Sequence, residues 1–170
     1  MRTIVVVSVL LVIGCVRIPK NVYPVDHFSL EKYLGRWYEI ARLDHSFERG
    51  LTRVTADYRL RDDGGVQVLN RGYSEAEKKW KEVQGKAYFV QRPDLGYLKV
   101  SFFGPFYGSY IVFDLDRESY RYSLVSGPDK SYFWILARDP SMDDELKNTL
   151  IAKAAALGFD TSKLIFVNHQ

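Results

Sequence analysis

Residues 51–65 read Leu-Thr-Arg-Val-Thr-Ala-Asp-Tyr-Arg-Leu-Arg-Asp-Asp-Gly-Gly, and their hydrophobic period is two. Thr52, Val54, Ala56, Tyr58 and Leu60 fall on one side; Arg53, Thr55, Asp57, Arg59 and Arg61 fall on the other. Extended backbone sends successive side chains to opposite faces, so the pattern predicts a strand with an apolar inside and a charged, wet outside. Asp62-Asp63-Gly64-Gly65 then supplies a hairpin turn, its glycines available for positive φ. Val66, Val68 and Asn70 carry the inward face into a second strand.

Working outward, strand-like runs recur at 36–43, 82–91, 96–102, 107–115, 120–126 and 132–138. Breakers separate them: Pro93-Asp94, Gly104-Pro105, Asp116-Arg117 and Gly127-Pro128-Asp129. With the hairpin, that makes eight strands at short, regular spacing, which predicts an all-β fold. Joined in sequence, they can close into an eight-stranded antiparallel up-and-down β-barrel without exposed edges. Such a barrel is just wide enough for side chains or one small ligand. After Pro140 the period changes. Met142, Leu146, Leu150, Ala154 and Leu157 form one helical stripe, with Ser141 as cap, Asp144 three residues on and Gly158 as stop. This C-terminal α-helix should pack outside the barrel, followed by a short final strand at Leu164-Ile165-Phe166-Val167.

The chain's 170 residues suit one domain, and 46% hydrophobic with 15% aromatic residues exclude global disorder. A net charge of +3, scattered along the chain, excludes the concentrated basic face of a nucleic-acid protein. His27, His45 and His169 lack ligand spacing and the single cysteine cannot build a zinc site, so no metal or cofactor is expected. No Ser/His/Asp or paired-carboxylate spacing stands out, which argues against an enzyme.

That cysteine ends an apolar leader. Arg2, an apolar run over 4–14 and Gly14 before Cys15 are the parts of a secretory signal. The run is shorter than the about 20 apolar residues of a membrane-spanning helix. Val12-Ile13-Gly14-Cys15 resembles a bacterial lipobox, whose cysteine is acylated and becomes the new N-terminus. Val16 stands where the inner-membrane retention signal has Asp, which by analogy directs the product to the bacterial outer membrane. The expected organisation is a signal peptide at 1–14, a lipidated N-terminus and tether at 15–27, and a barrel domain at 28–170.

Tyr33-Leu34-Gly35-Arg36-Trp37-Tyr38-Glu39-Ile40-Ala41-Arg42 resembles the Gly-x-Trp signature at the first strand of lipocalins. Ile135-Leu136-Ala137-Arg138 resembles the family's third motif, whose Arg covers that Trp. Tyr110 to Asp116 takes the place of the second motif but keeps only its acidic character, in Asp114 and Asp116. The resemblance spans about residues 28–168 and is closest to bacterial outer-membrane lipocalins. Phe47-Glu48-Arg49-Gly50-Leu51 and Val100-Ser101-Phe102-Phe103-Gly104-Pro105-Phe106-Tyr107-Gly108 carry that closer likeness.

It implies a barrel floor plugged by a short 3₁₀ turn, with Arg138 stacked on Trp37. By alternation Trp134, Tyr58, Phe89 and Phe102 point inward, as ligand contacts or as plain filling. Tyr110 should join them unless Gly104 and Gly108 introduce a bulge and reverse its parity. Glu39 shares the parity of Trp37; a carboxylate there must find a partner or water, as ligand anchor or bonded neighbour. The run Glu75 to Glu82 around Trp80 reads as a solvated hairpin tip. The resemblance implies a carrier of a fatty acid or lysophospholipid, tethered to the membrane by Cys15 and compatible with a homodimer. A filled structural barrel, or an isomerase of the same fold, are the rival readings.

Overall fold

The computed structural model describes residues 16–170, so Cys15 and the leader lie outside the described residues. Eight antiparallel strands follow one another: β1 (Gly35–Arg42), β2 (Leu51–Leu60), β3 (Val66–Ser74), β4 (Lys79–Phe89), β5 (Tyr97–Ser101), β6 (Gly108–Leu115), β7 (Tyr122–Ser126) and β8 (Phe133–Ala137). β1 pairs with both β2 and β8, and that double pairing closes the barrel. A two-residue β9 (Ile165–Phe166) adds to the outer end of β1.

One end is closed by α1 (Leu30–Tyr33), capped by Ser29, a single α-helical turn where the family resemblance implies a 3₁₀ one. The loops 43–50, 75–78, 102–107 and 127–132 stand at the other end. Two hydrophobic cores result. One fills the barrel floor, with Phe28, Tyr33, Trp37, Tyr58, Val112 and Val125. The second lies outside, between the sheet and α2 (Asp144–Ala156), where Leu150 and Ala154 meet Ile111, Phe133, Ile135 and Phe159.

Several expectations change. α2 is capped by Asp143, whose carboxylate accepts from the Glu145 and Leu146 backbone N–H groups; Ser141 is not the cap. A carboxylate at that position also complements the positive end of the helix. Gly158 does end α2, at φ +86°. β4 begins at Lys79, so the tip is 75–78 and Trp80 belongs to a strand, under the Arg71 guanidinium at 4.2 Å.

In β2, Arg53 adopts φ +52° and the pairing with β3 slips between Thr52 and Thr55. The extra residue turns Thr52 outward, opposite Tyr73, where its hydroxyl donates to Glu75 Oε1 at 3.1 Å. Leu60, at the last position of β2, is 63% exposed rather than inward.

The stretch 16–27 is not a free tether either. Val22 and Val25 are buried, the Val25 N–H donates to Val112 O, and Gly96 donates back to Val25 O. This segment runs the height of the barrel, from the open-end loops at Arg17 to the floor at Phe28. The folded body therefore starts before residue 28.

Candidate ligand-binding site

The barrel encloses a cavity of about 370 Å³, within the size range of small-molecule sites. Its wall follows from alternation: Val54, Ala56 and Tyr58 on β2, Val66 and Val68 on β3, Ala87 on β4, Leu98 and Val100 on β5 all turn inward. Small residues leave the room that larger ones would fill. At Gly85, an added Cβ would meet the Phe102 ring at 2.7 Å, so the glycine lets that ring lie over β4.

The floor is built in layers. Tyr33 rests on Trp37, ring centroids 4.7 Å apart, and the Trp37 indole N–H donates to Tyr33 O at 2.8 Å. Below, the Arg138 guanidinium lies 4.0 Å from the Trp37 ring centroid and donates to Arg36 O, Lys32 O and Tyr120 O. A guanidinium against an indole contributes about 0.5–2 kcal/mol, and its three backbone bonds tie β8 to β1, α1 and the β6–β7 loop. Above, the Tyr110 hydroxyl bonds those of Tyr33 and Tyr58, each at 2.8 Å, and Tyr33 also reaches Ser123. Burial pushes the Tyr33 phenol up to about 12, and those of Tyr58 and Tyr110 well above their ordinary value. The cavity thus ends on a neutral, hydrogen-bonded phenol triad.

A second polar group sits in the half nearer the mouth. The pairing of β1 with β8 slips between Glu39 and Ala41, so Glu39 and Arg42 both turn inward, although an unbroken strand would send them to opposite faces. Arg42 Nη1 donates to Glu39 Oε1 at 2.6 Å, and Nη2 donates to Glu48 O. Glu48 Oε2 in turn accepts from the Trp134 indole N–H at 3.1 Å. Two buried carboxylates thus lie near one guanidinium, which bonds the carboxylate of Glu39 and only the backbone carbonyl of Glu48. Burial, and then the neighbouring Glu48, push Glu39 well above the usual carboxylate range despite Arg42; burial also raises Glu48. His45 stacks between Phe47 and Tyr132, and burial with the nearby Arg42 lowers it to about 4, so it is neutral at pH 7.

Of the residues expected to line the cavity, Trp134, Tyr58, Phe102, Tyr110 and Glu39 do so. Phe89 does not. It shares the parity of Ala87 but lies lower, edge-on to Phe28 at 6.2 Å, and helps seal the floor. Arg42, His45, Glu48 and Tyr33 were missed. Glu39 carried the available signal, since a buried carboxylate requires a donor within reach; the bulge that supplies one leaves no mark in the periodicity. Among the described residues, no group of three His, Cys, Asp or Glu side chains is placed to hold a metal.

The comparisons with known proteins agree with this geometry. Residues 28–169 match the lipocalin-like domain model. The chain is 59% identical over 157 residues to the outer membrane lipoprotein Blc of Vibrio cholerae, covering 92% of each. It is 55% identical to the protein of that name from Escherichia coli, over 89% of this chain and 85% of that one. Insecticyanin from the tobacco hornworm Manduca sexta, at 22% identity, superposes with a TM-score of 0.70 over 91% of this chain and 87% of its own, which supports the fold alone. A closed eight-stranded barrel with its Trp37–Arg138 floor and external helix, matched over 28–169, makes this chain a member of the lipocalin family.

Proposed function

We propose that this chain is a lipid-anchored carrier of the bacterial outer membrane that holds a fatty acid or lysophospholipid by its acyl chain. The observation that carries the reading is the cavity of about 370 Å³, apolar along its wall and sealed by the phenol triad. Each buried methylene contributes about 0.8 kcal/mol, so an unbranched tail gains affinity without any chemistry from the protein. The buried polar group favours the lysophospholipid. Glu39 and Glu48 face the cavity beside Arg42, and this mixed polar group near the mouth can bond the phosphate and hydroxyl of a head group that a fatty acid lacks. The outer-membrane placement draws on the names of the two relatives at 55–59% identity and on the lipobox-like Val12-Ile13-Gly14-Cys15.

The role is binding rather than catalysis, and the open cavity speaks against a filled structural barrel. Protein purified from native membranes should release a stoichiometric acyl lipid on organic extraction, read by mass spectrometry. Cys15→Ser should move the protein out of the membrane fraction. An extract empty of acyl lipid, together with no uptake of lysophospholipid by delipidated protein at micromolar concentration, would return the structural reading to first place.

A further inference from the structure

Exposed large apolar side chains are unevenly distributed over this barrel. Phe47, Trp80, Phe103 and Phe106, which are 43–75% exposed, belong to the loops and hairpin at the open end; of the other exposed ones, Ile18 and Tyr23 lie on the N-terminal segment, Ile165 and Phe166 on β9, and Leu60 stands at the closed end. The segment Phe102-Phe103-Gly104-Pro105-Phe106-Tyr107 carries no charge at all. The closed end, Leu60 apart, is more densely charged. Its loops hold Arg61, Asp62, Asp63, Arg92, Asp94, Asp116, Arg117, Glu118 and Arg121, several in exposed ion pairs. Clustered exposed aromatics on a soluble domain mark a contact surface.

The path of the N-terminal segment indicates what that surface meets. Arg17 is bound at the mouth: its backbone N–H donates to Ser109 Oγ at 2.8 Å, its carbonyl accepts from the same hydroxyl, and its guanidinium reaches Pro128 O and Asp129. Cys15 lies two residues earlier in sequence, so it can stand no more than about 7 Å from Arg17 along even a fully extended chain. An acyl anchor on Cys15 would therefore leave the protein at the open end, near the 102–107 loop, and not at the floor, which the chain first reaches at Phe28, 13 residues on.

We infer that the open end of the barrel docks face-down on the phospholipid surface, with the uncharged 102–107 loop and Phe47 inserted at head-group depth and the cavity opening toward the lipid. The inference rests on the acylation of Cys15 proposed above. Exposed Phe side chains gain by burying at the boundary between head groups and acyl chains, and an anchor at the rim removes most of the orientational freedom that docking would otherwise cost. The rim as a whole is close to neutral, Lys79 and Lys81 both being paired with Glu77, so the uncharged 102–107 loop and the anchor, and not a basic patch, point to the lipid surface. The cavity then exchanges ligand directly with the lipid layer, without carrying a bare acyl chain through water.

The test uses the full acylated chain in vesicles of phosphatidylethanolamine and phosphatidylglycerol, with and without a phosphatidylcholine brominated on its acyl chains. Phe103→Trp places a reporter at the mouth; Leu60→Trp places one at the exposed closed end. Docking predicts that the emission added at 103 shifts to the blue on reconstitution and is largely quenched by the brominated lipid. The emission added at 60 should stay at its aqueous wavelength and unquenched. Both reporters lie outside the cavity lining, so brominated lipid bound inside it does not mimic the result. The mass of the N-terminal peptide, measured on the same preparation, reports acylation separately. Acylated protein with an unquenched 103 reporter overturns the docking and leaves the carrier intact; an unacylated N-terminus overturns anchor and docking together. A concentration-dependent blue shift at 103 in detergent that persists unquenched in vesicles would give this face to a second copy of the chain, and also overturns the proposal.

Discussion

Arg42 is buried because of one irregular step between Glu39 and Ala41. Once inward, it needs a carboxylate, and Glu39 at 2.6 Å supplies it. Removing that partner strands a buried guanidinium, so Glu39→Ala should cost about 3–5 kcal/mol, measurable as a shift in denaturant midpoint. Glu48 behaves differently. Its folded-state pKa is raised above its ordinary value, so its contribution to stability is complete below the unfolded value near 4.5 and is lost as pH rises through the folded one. The amide of Glu48→Gln keeps an acceptor for the Trp134 indole and carries no charge. The variant should match the parent near pH 4 and become progressively more stable than it toward pH 8; equal stability at both pH values would show that Glu48 is not strained by burial.

At the scale of the element, alternation placed the strands within a few residues of their positions, and the Gly35–Trp37 and Arg138 signatures located the floor. What stayed hidden were register and docking. The slips at Arg53 and after Glu39 each insert one residue into a ladder, which the hydrophobic period does not record. The docking of 16–27 depends on backbone bonds such as Val25 N–H to Val112 O, formed between segments far apart in the chain. The cap of α2 is a sharper case. Ser141 and Asp143 both offer an acceptor near the helix start, and only the chain path after Pro140 selects Asp143. Asp143→Ala should therefore cost about 1 kcal/mol, whereas Ser141→Ala should leave thermal stability unchanged. The reverse ranking would restore the serine cap.

For the molecule as a whole, the carrier reading can be put to a test through its own tryptophans. Trp37 lies behind Tyr33, away from the cavity, and Trp80 lies on the outer face beneath Arg71. Trp134 alone lines the cavity, its indole held by Glu48 and its ring centroid 4.8 Å from that of His45. Titration of delipidated protein with a lysophospholipid should change the emission, and Trp134→Phe should remove most of that change. If the variant keeps the signal, the ligand is bound elsewhere. Across a homologous series of chain lengths, each methylene should tighten binding by about 0.8 kcal/mol, roughly fourfold. The gain must then stop abruptly. The Tyr33–Tyr110–Tyr58 triad is braced by Trp37 and Arg138, so the floor cannot recede to admit a longer tail. Affinity that kept rising with length would mean that the extra methylenes find room outside the about 370 Å³ cavity; affinity indifferent to length would mean that the acyl chain is not what this barrel holds.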